Sequence, residues 1–288
     1  SLLGIGNTLM QVSLNPLVSN IVSGDRLAST LTFGQFVKAI ASFLAPIIAA
    51  WAVIRFGDWK MLFPIFAIIA VIAVTALNFT KVEEMAVKHQ STFGECFALL
   101  KDTSILMLFL GIMMHVGIDV GVNTTAPKLL IERTGMALAQ AGYATSIYFL
   151  FRTIGSLSGA FILAKYSSKT FFLVSISMIG LAILGLFFVK GAIAIYFCIA
   201  LIGFGNSNIF SIMFSQALLH LPSRNNEISG LMIMGLAGGA IFPLLMGIAS
   251  DTLKSQIGAV IVLMLCLIYL AFLSPRIKDS NKVINEKR

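Results

Sequence analysis

The chain has 288 residues, of which 58% are hydrophobic and only 11% charged, and its mean hydropathy is +0.96. Soluble domains carry about 25% charged residues, so the composition excludes a soluble globular domain and describes a polytopic membrane protein. The net charge of +8 does not point to nucleic acid, because Lys and Arg sit mainly in connections and in the tail, where they set topology and meet lipid headgroups.

A spanning helix needs about 20 apolar residues. That length predicts nine transmembrane helices, at 1–21, 28–54, 61–79, 104–128, 139–164, 170–189, 192–217, 228–249 and 257–274. Short polar turns separate most of them. The one long polar connection is 80–103, which carries Lys81, Glu83, Glu84, Lys88, Glu95, Lys101 and Asp102. Three predicted helices precede it and six follow.

The first helix carries Asn7, Gln11 and Asn15, and the fourth carries His115, Asp119 and Asn123. Spacing of i, i+4, i+8 places each trio on one helix face. A polar face inside a bilayer is costly unless it meets a partner helix or a water-filled pathway. In the seventh predicted helix Asn208, Ser211 and Ser215 follow at i, i+3, i+7, beside Asn206 and Gln216. Three such faces favour a polar pathway over simple helix-to-helix bonding, although for any single Asn or Ser the two readings weigh equally.

If 80–103 is cytoplasmic, that side collects twelve of the twenty Lys and Arg, five of them in the tail, against six on the other. This obeys the positive-inside rule and places the C-terminus in the cytoplasm. The layout predicts an all-α membrane protein of two six-helix halves lacking its first three helices. Residues 1–80 would be the last three helices of the N-terminal half, 81–103 the interdomain loop, 104–275 the C-terminal half and 276–288 a basic tail. The chain begins with Ser1 inside an apolar stretch without a charged leader, which reads as a piece of a longer or processed protein rather than a signal peptide. Cys96, Cys198 and Cys266 are far apart without C-x-x-C spacing, so neither a disulfide framework nor a metal site is expected.

The segment Gly6-Asn7-Thr8-Leu9-Met10-Gln11-Val12-Ser13-Leu14-Asn15-Pro16-Leu17-Val18 resembles the fourth helix of the fucose permease branch of the major facilitator superfamily, which includes fucose, glucose and galactose symporters. His115-Val116-Gly117-Ile118-Asp119-Val120-Gly121 is similar to the seventh helix, Asn208-Ile209-Phe210-Ser211-Ile212 to the tenth, and Gly238-Gly239-Ala240-Ile241-Phe242-Pro243 with Ser250-Asp251 to the eleventh. The resemblance covers the chain as helices four to twelve. It implies a monomeric secondary transporter, not an enzyme, that takes up a monosaccharide by alternating access with H+ or Na+ as coupling ion and no other cofactor. It also implies a cavity lined by the fourth-, seventh- and tenth-like helices, with Asn7, Gln11, Asn15, His115, Asp119, Asn123, Asn208 and Ser211 as substrate ligands. Amides suit sugar hydroxyls, which both donate and accept. One departure matters: the branch carries a titrating acid where this chain has Gln11, so proton coupling through that position is not implied.

Asp119 is the one acid deep within a predicted span, and its readings are sugar acceptor, cation site, proton carrier, or ion-pair partner of Arg152 or Lys38. Arg152 lies about 13 residues from Lys165, or ~20 Å at 1.5 Å per residue, a depth similar to that of Asp119. Asp119, Arg152 and Lys38 are therefore candidates for coupling or gating. His115, one turn from Asp119, is placed to share its proton. The alternatives are a transporter of another polar solute or a drug exporter of the same fold. A channel would need a selectivity filter, and an intramembrane enzyme would need a nucleophile or metal set; the chain offers neither.

Overall fold

The computed structural model describes residues 2–22, 24–79 and 92–279. Among them the chain is entirely helical. The helices are α1 (Leu2–Ile21), α2 (Gly24–Phe56), α3 (Leu62–Asn78), α4 (Phe93–Ala98), α5 (Thr103–Thr134), α6 (Leu138–Ala141), α7 (Tyr143–Leu163), α8 (Ser168–Phe188), α9 (Ala192–Asn206), α10 (Ile209–His220), α11 (Asn225–Met234), α12 (Gly238–Leu253) and α13 (Ile257–Leu273). The central part of the polar connection and the end of the basic tail lie outside the described residues.

Six segments among the described residues are long and apolar enough to cross a bilayer: Thr103–Thr134, Tyr143–Leu163, Ser168–Phe188, Ala192–His220, Pro222–Leu253 and Ile257–Arg276. Leu62–Ala76 is a shorter apolar helix. Among the described residues the structure thus gives six such segments where the sequence predicts nine; of the helices before them, α1 carries polar Asn and Gln residues and α3 has only 17 residues.

Helix ends follow local chemistry. Asp102 caps α5 by accepting from the Ser104 and Ile105 N–H groups at 2.8 and 3.1 Å. Thr92 and Glu95 form a reciprocal capping box on α4. The apolar window of 104–128 ends at Lys128, but α5 runs on to Thr134, where Glu132 accepts from Ser255 Oγ and the Gln256 N–H at 2.6 Å each. The stretch predicted as one helix over 192–217 is broken at Ser207–Asn208. There the Ser207 hydroxyl donates to the Phe204 carbonyl at 2.6 Å and competes with the helical ladder. The predicted 228–249 is likewise two helices, joined by a 3-10 turn at Gly235–Ala237.

By their contacts the residues form two units, 1–36 with 91–288, and 37–90. In the first, α5 is the central post, packed by α7, α9, α10, α12 and α13, while α8 lies against α9 and α13. α1 packs on α11 and α10. Asn225 donates to Ser19 Oγ at 3.0 Å, and the Ser29 hydroxyl donates to the Ala160 carbonyl at 2.6 Å. Large apolar side chains point outward, such as Leu181, Phe188, Ile193 and Leu265, each at least 60% exposed. On a helix of this length such a surface faces lipid rather than water. The second unit holds the rest of α2, the 3-10 turn Trp59–Met61 and α3.

Candidate functional site

The α5 polar face is the spine of the site. Asp119 Oδ2 lies 2.9 Å from Arg152 Nη1 on α7. One turn earlier on the same α7 face, the Tyr148 hydroxyl donates to Asp119 Oδ1 at 2.5 Å. Spacing of four residues lets α7 present both groups to one carboxylate. The amide of Asn206, the last residue of α9, donates to the Tyr148 oxygen at 3.1 Å, and its carbonyl meets His115 Nδ1 at 2.9 Å. Three helices thus hold a continuous polar chain from Arg152 to His115. Its charged end keeps some exposure, 22% for Arg152 and 16% for Asp119. Its neutral end is sealed, with Tyr148 and Asn206 at 0% and His115 at 1%.

Of the two cations considered as partners of Asp119, the structure places Arg152 beside it. His115 does not meet Asp119 directly; among the described residues its hydrogen bond goes to Asn206, and two side chains intervene. Asn123 turns back onto its own helix, donating to the Asp119 carbonyl at 2.8 Å, and leaves its Oδ1 buried without a partner among the described residues.

A second polar patch forms at the break between α9 and α10. Asn208 donates to the Gly155 carbonyl at 3.0 Å and to Ser207 Oγ at 2.6 Å. Gly155 and Gly159, spaced G-x-x-x-G on α7, make room for it: a Cβ on Gly159 would lie 2.3 Å from Asn208 Oδ1, and one on Gly155 2.5 Å from Ser207 Oγ. Asn208 and Ser211 are fully buried, and Asn208 Oδ1 and Ser211 Oγ have no partner among the described residues.

Gln11 and Asn15 are half-buried on α1, with no hydrogen bond to the α5 chain among the described residues. The Asn7 side chain lies outside the described residues, and Lys38 lies on α2 within the second unit. Gln216 is a structural tie, exchanging hydrogen bonds with the Lys278 backbone at 2.7 and 3.3 Å. Sequence reasoning did not assign roles to Tyr148 and Asn206. The available signal for Tyr148 was its position four residues before Arg152; for Asn206 it was its place beside the Ser207-Asn208 pair that ends α9.

The Major Facilitator Superfamily model matches residues 1–243. A glucose/galactose transporter of Brucella abortus is 26% identical over 285 residues, spanning 94% of this chain and 68% of that protein. Among solved structures, the Major Facilitator Superfamily transporter FucP in its outward conformation superposes with a TM-score of 0.72 at 18% identity, covering 92% of this chain and 72% of that one. The fucose:proton symporter FucP of E. coli gives the same score and coverage at 16% identity. With a family model running over most of its length and its helices superposing on a solved member, this chain belongs to the Major Facilitator Superfamily, a family of transporters.

Proposed function

We propose that this protein takes up a monosaccharide of the glucose, galactose or fucose class across a bacterial inner membrane by alternating access, driven by a gradient of H+ or Na+. The observation that carries this reading is the similarity to a glucose/galactose transporter along 94% of the chain. The polar residues add chemical support, since buried amides and hydroxyls with spare capacity suit a polyhydroxyl solute.

On this reading α1, α2 and α3 also cross the membrane, which makes nine crossings equivalent to helices four to twelve of a six-plus-six bundle. Residues 1–80 and 104–275 then belong to its two halves, 81–103 connects them in the cytoplasm, and 276–288 is a cytoplasmic tail of a monomeric transporter. His115, Asp119, Asn123, Asn208 and Ser211 contact sugar hydroxyls, joined by Asn7, Gln11 and Asn15 from α1. Asp119 with Arg152, and Lys38 on α2, serve coupling or gating.

The test is counterflow of labelled glucose, galactose, fucose and N-acetylglucosamine by the complete protein in proteoliposomes, with Asp119→Asn alongside. Counterflow needs no ion gradient, so it separates recognition from coupling. Exchange of one sugar that survives Asp119→Asn, while accumulation is lost, assigns Asp119 to coupling. Loss of exchange in a folded Asp119→Asn protein assigns it to the sugar site or its gate. If the wild type exchanges none of them, the monosaccharide reading fails and another polar solute takes its place.

A further inference from the structure

The chain Arg152–Asp119–Tyr148–Asn206–His115 admits one ordering of its hydrogens. A guanidinium only donates and a carboxylate only accepts, so Asp119 beside Arg152 at 2.9 Å is the acceptor of both its neighbours. The Tyr148 hydroxyl has a single hydrogen, and at 2.5 Å from Asp119 Oδ1 that hydrogen is committed to the carboxylate. Its oxygen is left as an acceptor, so the Asn206 group 3.1 Å away must be the NH2. This fixes the amide orientation from chemistry, independently of how the two ends of an amide are assigned. The Asn206 carbonyl oxygen then faces His115 Nδ1 at 2.9 Å, and Nδ1 must carry a hydrogen. The ring is 1% exposed and touches an amide rather than a carboxylate, so a second proton would be an unpaired buried charge.

We infer that the Asp119–Arg152 ion pair, acting through Tyr148 and Asn206, locks His115 as the Nδ1–H tautomer and so makes Nε2 an obligate hydrogen-bond acceptor. Asp119, Tyr148 and Asn206 are positioning residues, and His115 is the residue they present. The ligand group that suits such a nitrogen is a hydroxyl donor, not a carbonyl or ether oxygen. That last step rests on the transport reading above; the tautomer itself does not. The order also reads backwards: if Asp119 ceases to be a pure acceptor, Tyr148 is released, Asn206 loses its fixed direction, and His115 is free to change face. A change at the partly exposed charged end is thereby expressed as a change of donor–acceptor character at the sealed end, with no backbone movement.

The test is nitrogen NMR of the complete protein in bilayers, labelled with 15N in its imidazole rings. The chain has three His, and the His115 signals are those lost in His115→Gln. The expected wild-type spectrum has His115 Nδ1 protonated and Nε2 bare. Tyr148→Phe keeps the ring and cuts the chain, and Asp119→Asn removes the pure acceptor; in each, Nε2–H signals should appear and the single-tautomer signature should be lost. A wild-type ring that is Nε2–H or doubly protonated overturns the inference without reference to any variant. So does an unchanged Nδ1–H lock in a folded Tyr148→Phe or Asp119→Asn protein. If the tautomer is as ordered while counterflow finds no sugar exchanged, the lock stands and only the substrate reading falls.

Discussion

Removing one charge of the Asp119–Arg152 pair should cost more than removing both. Arg152→Met leaves a carboxylate, 16% exposed, with the Tyr148 hydroxyl as its one side-chain donor among the described residues. An unpaired acid at the centre of a spanning helix costs about 2.5–3.5 kcal/mol on insertion scales, and breaking a buried pair from one side costs about 3–5 kcal/mol. The retained hydrogen bond and residual exposure favour the lower figure, so the single change is expected to destabilise by about 3 kcal/mol, roughly a 100-fold shift in the folding constant. Asp119→Asn strands Arg152 at a similar depth and should cost about the same. The double variant has no stranded charge. It should lose only about 1 kcal/mol, the worth of an ordinary hydrogen bond. The assay is SDS-induced unfolding of all four proteins in mixed micelles, followed by circular dichroism. Single costs that simply add in the double variant, within about 0.5 kcal/mol, would refute the reasoning, since they would show two charges that do not depend on each other.

Gly159→Ala would place a Cβ 2.3 Å from Asn208 Oδ1; overpacking of this kind costs about 1–3 kcal/mol and should lower the thermal midpoint, whereas Gly247→Ala, with nothing within 4 Å of the new methyl, should leave it unchanged or raise it. Gln216→Ala removes both hydrogen bonds to the Lys278 backbone, and hydrogen exchange of the Lys278 amide should accelerate; equal exchange rates would show that the tie does not hold that segment. At the end of α5, burial pushes the Asp102 carboxyl upward, but the His220 ring and the Ile105 and Ser104 N–H groups outweigh it and hold it below its ordinary value. A lowered carboxylate contributes stability above its unfolded pKa of about 3.9 and loses that contribution as pH falls through the folded value. The stability gap between wild type and Asp102→Ala should therefore shrink on acidification below about pH 3.9, and a gap that widens there would have the wrong sign.

Much of this site was legible in sequence because a bilayer makes polarity conspicuous. Asp119 and Arg152 stand out in apolar helices, and counting residues from the helix ends places them at one depth, where the structure pairs them at 2.9 Å. What was not legible belongs to groups that polarity does not flag. Tyr148 is at home in any apolar helix, and only the three-dimensional approach of α7 to α5 turns its hydroxyl onto Asp119. The break at Ser207–Asn208 escaped because apolarity continues across it. The evidence for it is the competition of Ser207 and Asn208 with the backbone, which becomes decisive only once Gly155 and Gly159 open a groove on the facing helix. The run of α5 to Thr134 escaped for the opposite reason: the apolar signal stops at Lys128, while the helix continues into the cap that Glu132 makes on Ser255 and Gln256.

The two polar patches differ in a way that separates their roles. Along Arg152, Asp119, Tyr148, Asn206 and His115 each member is bound to the next, so that chain has a fixed order and gains by staying dry. Around the helix break the accounting does not close: among the described residues Asn208 Oδ1 and Ser211 Oγ are buried without partners, as is Asn123 Oδ1 on α5. Each unpartnered group costs about 1–3 kcal/mol, a cost that a solute bearing hydroxyls would relieve on arrival and restore on leaving. Under the proposed function this suits a transporter, which must bind its solute without holding it. A site already satisfied would have nothing to offer a sugar, and a site fully completed by one would release it slowly. The links from Arg152 to Asn206 therefore belong to the machinery that positions, and a hydroxylated solute would be felt at the unsaturated atoms and at the His115 Nε2 that those links present.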